Sequence, residues 1–369
     1  MSDEEVLQKK SNKSKLFIMV GTVALLIIGL LFYFLYWVKT PAYSLTLIRE
    51  SIEKHDLVKF EKHVDTESLY NRAFDDVVQK NLTQSGYENN QFVMGLIGML
   101  KKTAVDELIN QTKKYVETGN FEVSGQKSSS EKSKQPDGKE VATNLNKNAG
   151  ISYIQFKGVE NTQKDGKISV VTTKVYDKKI EKEFTVKLKM RELENGEWKL
   201  VEISNLNEYL DERAKAIDEK LKALNKPIQE KIEKSIQIIS AEVKAINENS
   251  FFPMYRLHYL VKFKLPQSEN KIKNFKGIFL ISDSQGKDLY GTRFNGNGVS
   301  TLYTQKDYTI NKDFSLRFKS PNTLNPFIPD EDKIVKQGVN SFKHQFKVYK
   351  VEFEDGTIAE LLTEVPDPK

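Results

Sequence analysis

Residues 16–38 read LFIMVGTVALLIIGLLFYFLYWV, a run without a charged side chain near the start of a 369-residue chain. At a rise of about 1.5 Å per residue, such a run forms a helix about 34 Å long, which is enough to cross a hydrocarbon core of about 30 Å. Tyr33, Tyr36 and Trp37 stand at its C-terminal end, where amphipathic rings settle at the depth of lipid headgroups. The run therefore predicts a transmembrane helix, which Pro41 ends.

The charges beside this run predict its orientation. The basic residues before it are Lys9, Lys10, Lys13 and Lys15. Only Lys39 follows closely, so we expect residues 1–15 to form a cytoplasmic tail and the bulk of the chain to be extracytoplasmic. This arrangement is a single-pass signal-anchor in the cytoplasmic (inner) membrane. The alternative is a cleaved signal peptide, but its apolar region is about 7–15 residues long, and Pro41 makes residues 40–42 a poor cleavage site.

The composition bounds the chemistry and the partners. The absence of cysteine excludes disulfides, thiolate catalysis, iron–sulfur clusters and cysteine zinc sites. A net charge of +6, spread over 57 basic and 51 acidic residues, mildly favours anionic partners such as lipid headgroups or envelope polymers. Nucleic acid is not expected, because it would need a clustered basic face. The 38% hydrophobic content indicates real cores, and the length after the apolar run predicts two folded domains.

Helical periodicity dominates the chain after Pro41. Apolar residues recur at helical spacing from Ala42, from Leu69 and through the uncharged run at 92–100. That run is too short to span a bilayer, so it predicts a buried core helix. Asp65 precedes the second stretch and is predicted to cap its helix by accepting hydrogen bonds from free amides. The alternative to this capping role is that the carboxylate of Asp65 takes part in catalysis.

A polar segment and a set of strands follow. Residues 125–150 are rich in serine, lysine and asparagine, which predicts a mobile loop. Strand signals then occur at residues 151–156, 167–176, 182–190 and 197–203. Asp165-Gly166 and Asn195-Gly196 stand where hairpin turns need positive φ. Residues 40–205 are therefore predicted to form an α+β roll, with helices packed on an antiparallel sheet.

The same part of the chain resembles a known family. The opening segments are TPAYSL at 40–45, SIEKHD at 51–56 and HVD at 63–65, and the closing segments are KMR at 189–191, WKL at 198–200 and Ile203. Over about 40–206 these segments resemble the bacterial domain-of-unknown-function family 2939. The resemblance implies a membrane-anchored roll similar to the cystatin-like and nuclear-transport-factor-two-like folds. That group includes ligand binders, a few enzymes and many assembly modules, so the resemblance implies a shape without a reaction.

A roll of this kind can enclose a cone-shaped pocket. If the cone is hollow, we expect its lining to include Trp198, Arg191, Phe92 and Leu96. Trp198 has the alternative of sealing the sheet as a core residue, and this is the interpretation we prefer. For Arg191 we prefer an ion pair with a carboxylate on a helix.

The last two segments are predicted to be a charged helical spacer at 206–235 and a β-sandwich at 236–365. Leu210, Ile217 and Leu224 lie seven residues apart, which suits self-association through a short coiled coil or docking of the helix on its own domain. Short alternating runs separated by turn residues indicate an all-β sandwich. Residues 275–277 (FKG) and 348–357 (VYKVEFEDGT) resemble segments of immunoglobulin-like domains on exported bacterial proteins.

No motif for catalysis or cofactor binding stands out. Phosphate-binding and nucleophile motifs are missing, and the histidines lack HExxH-type spacing, so neither a metal nor a cofactor is expected. We therefore expect a non-enzymatic, membrane-anchored binding or scaffolding protein of the bacterial envelope. Its expected partners are the lipid bilayer and either envelope proteins or anionic envelope polymers. The competing hypothesis is a small-molecule binder or enzyme that uses the cone of the roll.

Overall fold

The computed structural model describes residues 36–85, 91–120, 138–248, 254–266, 270–296, 308–317, 333–334 and 337–368. The helices are α1 (Pro41–Glu53), α2 (Leu57–His63), α3 (Thr66–Ser85), α4 (Gln91–Thr118), α5 (Gly138–Ala149) and α6 (Leu206–Ser235). The first four strands are β1 (Ile154–Asp165), β2 (Ile168–Asp177), β3 (Lys182–Glu192) and β4 (Trp198–Ile203). The others are β5 (Gln237–Glu248), β6 (Met254–Lys264), β7 (Ile272–Ser282), β8 (Asp288–Gly296), β9 (Tyr308–Arg317), β10 (Lys343–Phe353) and β11 (Ile358–Glu360).

The membrane prediction needs a correction. Among the described residues, no helix is both long and apolar enough to cross a membrane. This finding contradicts the predicted transmembrane helix at 16–38 and, with it, the single-pass, signal-anchor placement in the inner membrane. Residues 16–35 and the predicted tail at 1–15 lie outside the described ranges. The two longest described helices, α4 and α6, carry charged side chains, and this is why neither is apolar enough to span.

Pro41 has a different role from the predicted one. The predicted end of the apolar run forms a short 3-10 helix at Trp37–Lys39, and Pro41 is the first residue of α1. Proline suits this position because its missing amide has no partner in the first helical turn anyway. Thr40 caps the helix, since its hydroxyl oxygen accepts a 3.1 Å hydrogen bond from the backbone amide of Tyr43.

The chain divides into two compact units, and the first comprises Met1–Ile217 with Pro366–Lys369. Its strands form an antiparallel meander in the order β1-β2-β3-β4. Gly166 and Gly196 have φ of 56° and 79° in the turns that the Asp-Gly and Asn-Gly pairs predict. The main core joins one face of this sheet to α1, α2 and the end of α4, and consists of Leu45, Ile48, Phe60, Val64, Val116, Val171, Met190, Trp198 and Leu200.

The predicted loop at 125–150 contains a helix. Residues 121–137 lie outside the described ranges, but Gly138–Ala149 form α5. Val141, Ala142 and Leu145 form a narrow apolar stripe on α5, of which Ala142 is fully buried and the other two pack against a cluster that contains Phe74. The sequence analysis missed this stripe because most residues around it are polar. Three small or aliphatic residues at helical spacing are nevertheless enough for a short helix to pack against other helices.

The second unit, Asp218–Val365, holds two antiparallel sheets with strand orders β11-β10-β7-β8 and β5-β6-β9. The two sheets share one core, in which the rings of Tyr259 and Phe279 lie 4.6 Å apart. Helix α6 is continuous through Pro227. Ile228 and Ile232 of α6 pack against the core of this unit, which places that part of the helix on its own unit.

Candidate functional site

Trp198, the first predicted pocket residue, lies inside the core of the roll. Its side chain is fully buried, and its indole Nε1–H donates a 3.0 Å hydrogen bond to the carbonyl oxygen of Lys39. The backbone amide of Trp198 also donates to the hydroxyl of Ser44 on α1. Met190 and Val171, both fully buried, belong to the same cluster. These buried side chains therefore lie in the core on this face of the sheet, where the lining of a hollow cone was expected.

Arg191 lies on β3 and pairs with a helix carboxylate. Its Nη2 is 3.3 Å from Oδ2 of Asp65, and about half of the Arg191 side chain remains exposed. The other carboxylate oxygen of Asp65 accepts a 3.1 Å hydrogen bond from the amide of Ser68, in the first turn of α3. Asp65 thus has the geometry of a helix cap that also pairs with an arginine. These two contacts stabilise the start of α3 and explain the position of Asp65 without a catalytic role.

The other two predicted lining residues lie on α4. Leu96 is half-buried and is not a member of the cluster around Trp198. The side chain of Phe92 lies outside the part of the chain whose side chains the structure describes. Contrary to the expected buried core helix, Met94 and Met99 of the same run are 45% and 75% exposed. The four predicted residues are therefore not assembled into one described site.

His63 is a buried titratable group that contacts the backbone of Trp198. It ends α2, is almost fully buried, and has its Nδ1 3.4 Å from the carbonyl oxygen of Trp198. Burial lowers the pKa of the His63 imidazole below its ordinary value, against smaller opposite effects from this carbonyl and from Glu197. Glu197 is itself held by Lys62 at 2.8 Å, and this hydrogen bond lowers the pKa of its carboxyl group. These groups point to a neutral, structural histidine at pH 7.

The other polar groups of the first unit also serve structural contacts. On α1, Glu50 accepts hydrogen bonds from Lys54 and Lys59 at 2.6 and 2.7 Å, and these contacts lower its pKa to about 2. His55 has Nδ1 2.9 Å from the carbonyl oxygen of Val116 and so links the turn between α1 and α2 to the end of α4. Among the described residues, no group of three or more His, Asp or Glu side chains could hold a metal ion.

The most deeply buried ion pair was missed by the sequence analysis. Arg213 of α6 and Asp177 at the end of β2 have side chains that are 2% and 0% exposed, and Arg213 Nε donates to Asp177 Oδ2 over 2.8 Å. Arg213 Nη1 also donates to the carbonyl oxygens of Lys147 and Asn148 in the last turn of α5. The signal was available, because Arg213 stands on the apolar stripe of α6, three or four residues from Tyr209, Leu210, Ala216 and Ile217.

The second unit has an open groove along α6. It has a volume of about 530 Å³, and its charged lining consists of Asp218, Lys222, Lys226, Glu230 and Glu233. Beside it, the amide of Asn225 pairs with the backbone of Leu362 in both directions, at 2.9 and 2.7 Å. Small-molecule sites are mostly apolar and enclosed, so a shallow groove with charges of both signs is better suited to a macromolecular surface.

Comparison with known proteins adds no family to this description. No family model matches the chain, and no curated protein matches it. The function is therefore inferred from the geometry of the described residues.

Proposed function

We propose that this chain is a binding or scaffolding protein whose two units contact macromolecular partners through their outer surfaces. One observation carries the proposal: side chains occupy the interior of the roll, with Trp198, Met190 and Val171 fully buried in one cluster. A ligand at this position would have to displace those buried side chains, and such displacement is costly. The membrane anchoring predicted at residues 16–38 is not part of the proposal.

The outer surfaces support the same conclusion. Val58 on α2 is 81% exposed, and Ile358 on β11 is 55% exposed. Single apolar side chains on a mixed-charge surface are ordinary, but they are also the positions where a protein partner finds apolar contact. The net charge of +6 favours partners with an acidic surface.

The small-molecule hypothesis makes the opposite demand. It needs a deep site with converging titratable groups. Here Arg191 pairs with Asp65 near the end of β3, while Trp198 is enclosed in the core. The described residues favour the binding and scaffolding role.

Two parallel measurements test the proposal. In the first, a photo-crosslinking residue replaces Val58 or Ile358 in the full chain, and the attached proteins are identified after illumination of intact cells. The matched control places the same residue at Asn110, an exposed polar position on α4. We expect the two apolar positions, and not the control, to give the same crosslinked protein in repeated experiments.

In the second, the purified chain is heated with a panel of metabolites, and the fluorescence of Trp198 is followed in the W37F variant, which has no other tryptophan. We expect no ligand to raise the melting temperature or to alter the Trp198 emission. A metabolite that binds saturably, raises the melting temperature and alters the Trp198 emission would refute the proposal in favour of a pocket in the roll.

A further inference from the structure

The last residues of the chain return to the first unit. Residues 361–368 follow β11 and form neither a helix nor a strand in this described part of the chain. The second unit ends at Val365, and Pro366–Lys369 belong to the first unit. We call residues 363–369 (TEVPDPK) the C-terminal tail. Chain ends are poorly ordered unless contacts tie them down, so the contacts of this tail are informative.

Asp367 supplies the polar contacts of the tail. Its Oδ1 accepts a 2.7 Å hydrogen bond from Lys179 Nζ and a 2.6 Å hydrogen bond from the hydroxyl of Tyr153. The bond from Lys179 and then that from Tyr153 lower the pKa of the Asp367 carboxyl group. Lys179 Nζ also lies 4.9 Å from the centroid of the Tyr153 ring. We call Tyr153 and Lys179 together the carboxylate site.

The fold positions the carboxylate site without help from the tail. The Lys179 side chain is only 15% exposed, although it ends in a charge. The backbone amide of Lys179 donates to the buried Asp177 carboxylate at 2.8 Å, and the amide of Lys178 donates to the carbonyl oxygen of Tyr153 at 3.0 Å. Because Asp177 is itself paired with buried Arg213, the loop that carries the lysine is anchored in the core. Donors held in place in this way bind a carboxylate without the cost of being ordered first.

The tail is also restricted before it docks. Pro366 and Pro368 flank Asp367, and proline fixes its own φ while the residue before it favours extended backbone. Val365 is 3% exposed, whereas both prolines are exposed. A short segment with few accessible conformations loses little entropy when it binds.

The contact is nevertheless easy to release. The Asp367 side chain is 71% exposed, so water competes for its carboxylate, and exposed ion pairs contribute little to stability. The tail has the advantage of belonging to the same chain, which gives it a high effective concentration at the site. A contact of this kind suits a reversible occupant of a binding site better than a permanent structural tie.

We infer that Tyr153 and Lys179 form a binding site for an acidic peptide with prolines beside its carboxylate, and that the chain's own tail occupies this site until such a peptide displaces it. The resident tail defines the ligand class, because it presents the group that the site holds. The inference rests on the proposed binding role, for which it names one site and the chemistry of one partner. Its test uses a different surface from Val58 and Ile358, so the two proposals can fail separately.

The first test asks whether the tail docks in solution. K369C introduces the only thiol of the chain, and the anisotropy of a dye attached there reports the mobility of the tail. We expect D367K and Y153F each to lower this anisotropy, whereas K178M, which removes the exposed neighbouring lysine, should leave it unchanged. The exchanged pair K179D/D367K should regain anisotropy relative to D367K, because opposite charges face each other again.

The second test supplies the tail as a separate peptide. A dye-labelled peptide of residues 363–369 is titrated into the unlabelled full chain and into D367K. We expect D367K to bind it about tenfold more tightly than the natural chain does, because the natural tail competes from within the same chain. Adding Y153F to D367K should weaken peptide binding about fivefold through the lost hydrogen bond, and adding K178M should not.

Two control peptides test the recognition. One has asparagine in place of Asp367, and the other has the residues of the tail in scrambled order with the same net charge. Both should bind D367K about tenfold more weakly than the natural tail sequence, because the first lacks the charged acceptor and the second lacks the flanking prolines.

Three results would overturn the inference. These are a tail whose dye anisotropy is the same in D367K as in the natural chain, a peptide that binds D367K no better than the natural chain, and a scrambled peptide that binds D367K as tightly as the natural sequence.

Discussion

Arg213 and Asp177 form a buried ion pair that joins a helix, a strand and the end of a second helix. The carboxylate of Asp177 accepts from Arg213 Nε at 2.8 Å and from the backbone amides of Lys179 and Ile180 at 2.8 and 3.1 Å. Arg213 Nη1 donates to the carbonyl oxygens of Lys147 and Asn148 at the end of α5. Because the carboxylate and the guanidinium each make several hydrogen bonds, both charges can lie out of water, and the loss of the arginine leaves the carboxylate without its cation.

Removal of the arginine should destabilise the first unit strongly. We expect R213M to lower the free energy of unfolding by about 3–5 kcal/mol, because it leaves the Asp177 carboxylate buried without its cation. Urea unfolding measures this loss. Hydrogen exchange should also show faster exchange in α5, whose last carbonyls lose their donor.

The matched control for R213M is D211N on the same helix. Asp211 is largely exposed and pairs with Lys80 at the surface. Its replacement should change the stability by no more than about 0.5 kcal/mol. Equal effects of the two substitutions would contradict the structural role assigned to the buried pair.

Acid should destabilise the first unit through His63. Burial lowers the pKa of this imidazole in the folded chain, so the unfolded chain binds the proton more tightly. The contribution of neutral His63 to the free energy of unfolding is therefore complete above the ordinary histidine pKa of 6.5. It is lost as the pH falls from there through the pKa of the folded chain. Chemical unfolding between pH 8 and 5 should show this loss, and H63Q should lose less over the same range. The idea fails if H63Q and the natural chain show the same pH dependence.

Trp198 should be shielded from solvent and important for stability. W198A should cost about 3–5 kcal/mol, because it empties a large volume in the core, and W198F should cost less because the ring still fills most of that volume. In W37F, the emission of Trp198 should resist quenching by acrylamide, whereas Trp37, which is 45% exposed, should be quenched readily in W198F. Ready quenching of Trp198 would mean that the roll is open.

Asn225 should stabilise the end of the second unit. Its side-chain amide donates to the carbonyl of Leu362 and accepts from the amide of the same residue, as a neighbouring strand would. N225D loses the donor and sets a carboxylate against a carbonyl oxygen, which should cost about 1–3 kcal/mol. Q229A on the same helix is the control, since Gln229 donates to Glu233 at the surface. Thermal unfolding of both variants would measure the difference, and an unchanged N225D would refute the role.

Several elements of the fold followed from local patterns. Strands β2, β3 and β4 lie close to the predicted segments, because alternating apolar residues and the Asp-Gly and Asn-Gly turns act over a few neighbouring positions. The first strand was predicted at 151–156, but β1 runs from Ile154 to Asp165 and residues 151–153 form a 3-10 helix. Helix α5 did not follow, because Ala142 and its neighbours form an apolar stripe only against helices that are distant in sequence. The predicted transmembrane helix was wrong, since no helix among the described residues is both long and apolar enough to span a membrane. That prediction rested on local features of residues 16–38, namely their hydropathy, the aromatic residues at the end and the flanking charges.

The candidate sites show the same division. The sequence by itself determined the absence of thiol chemistry, which follows from composition, and the two hairpin turns, which depend on neighbouring residues. Only the tertiary structure decided that Trp198 is buried in the core of the roll. It also decided that Arg191 pairs with Asp65, 126 residues away, and that Arg213 pairs with Asp177, 36 residues away. Folding also decided which side of α4 faces outward. A contact over such a separation depends on how helices and sheet pack together, and no periodicity within one segment contains that information.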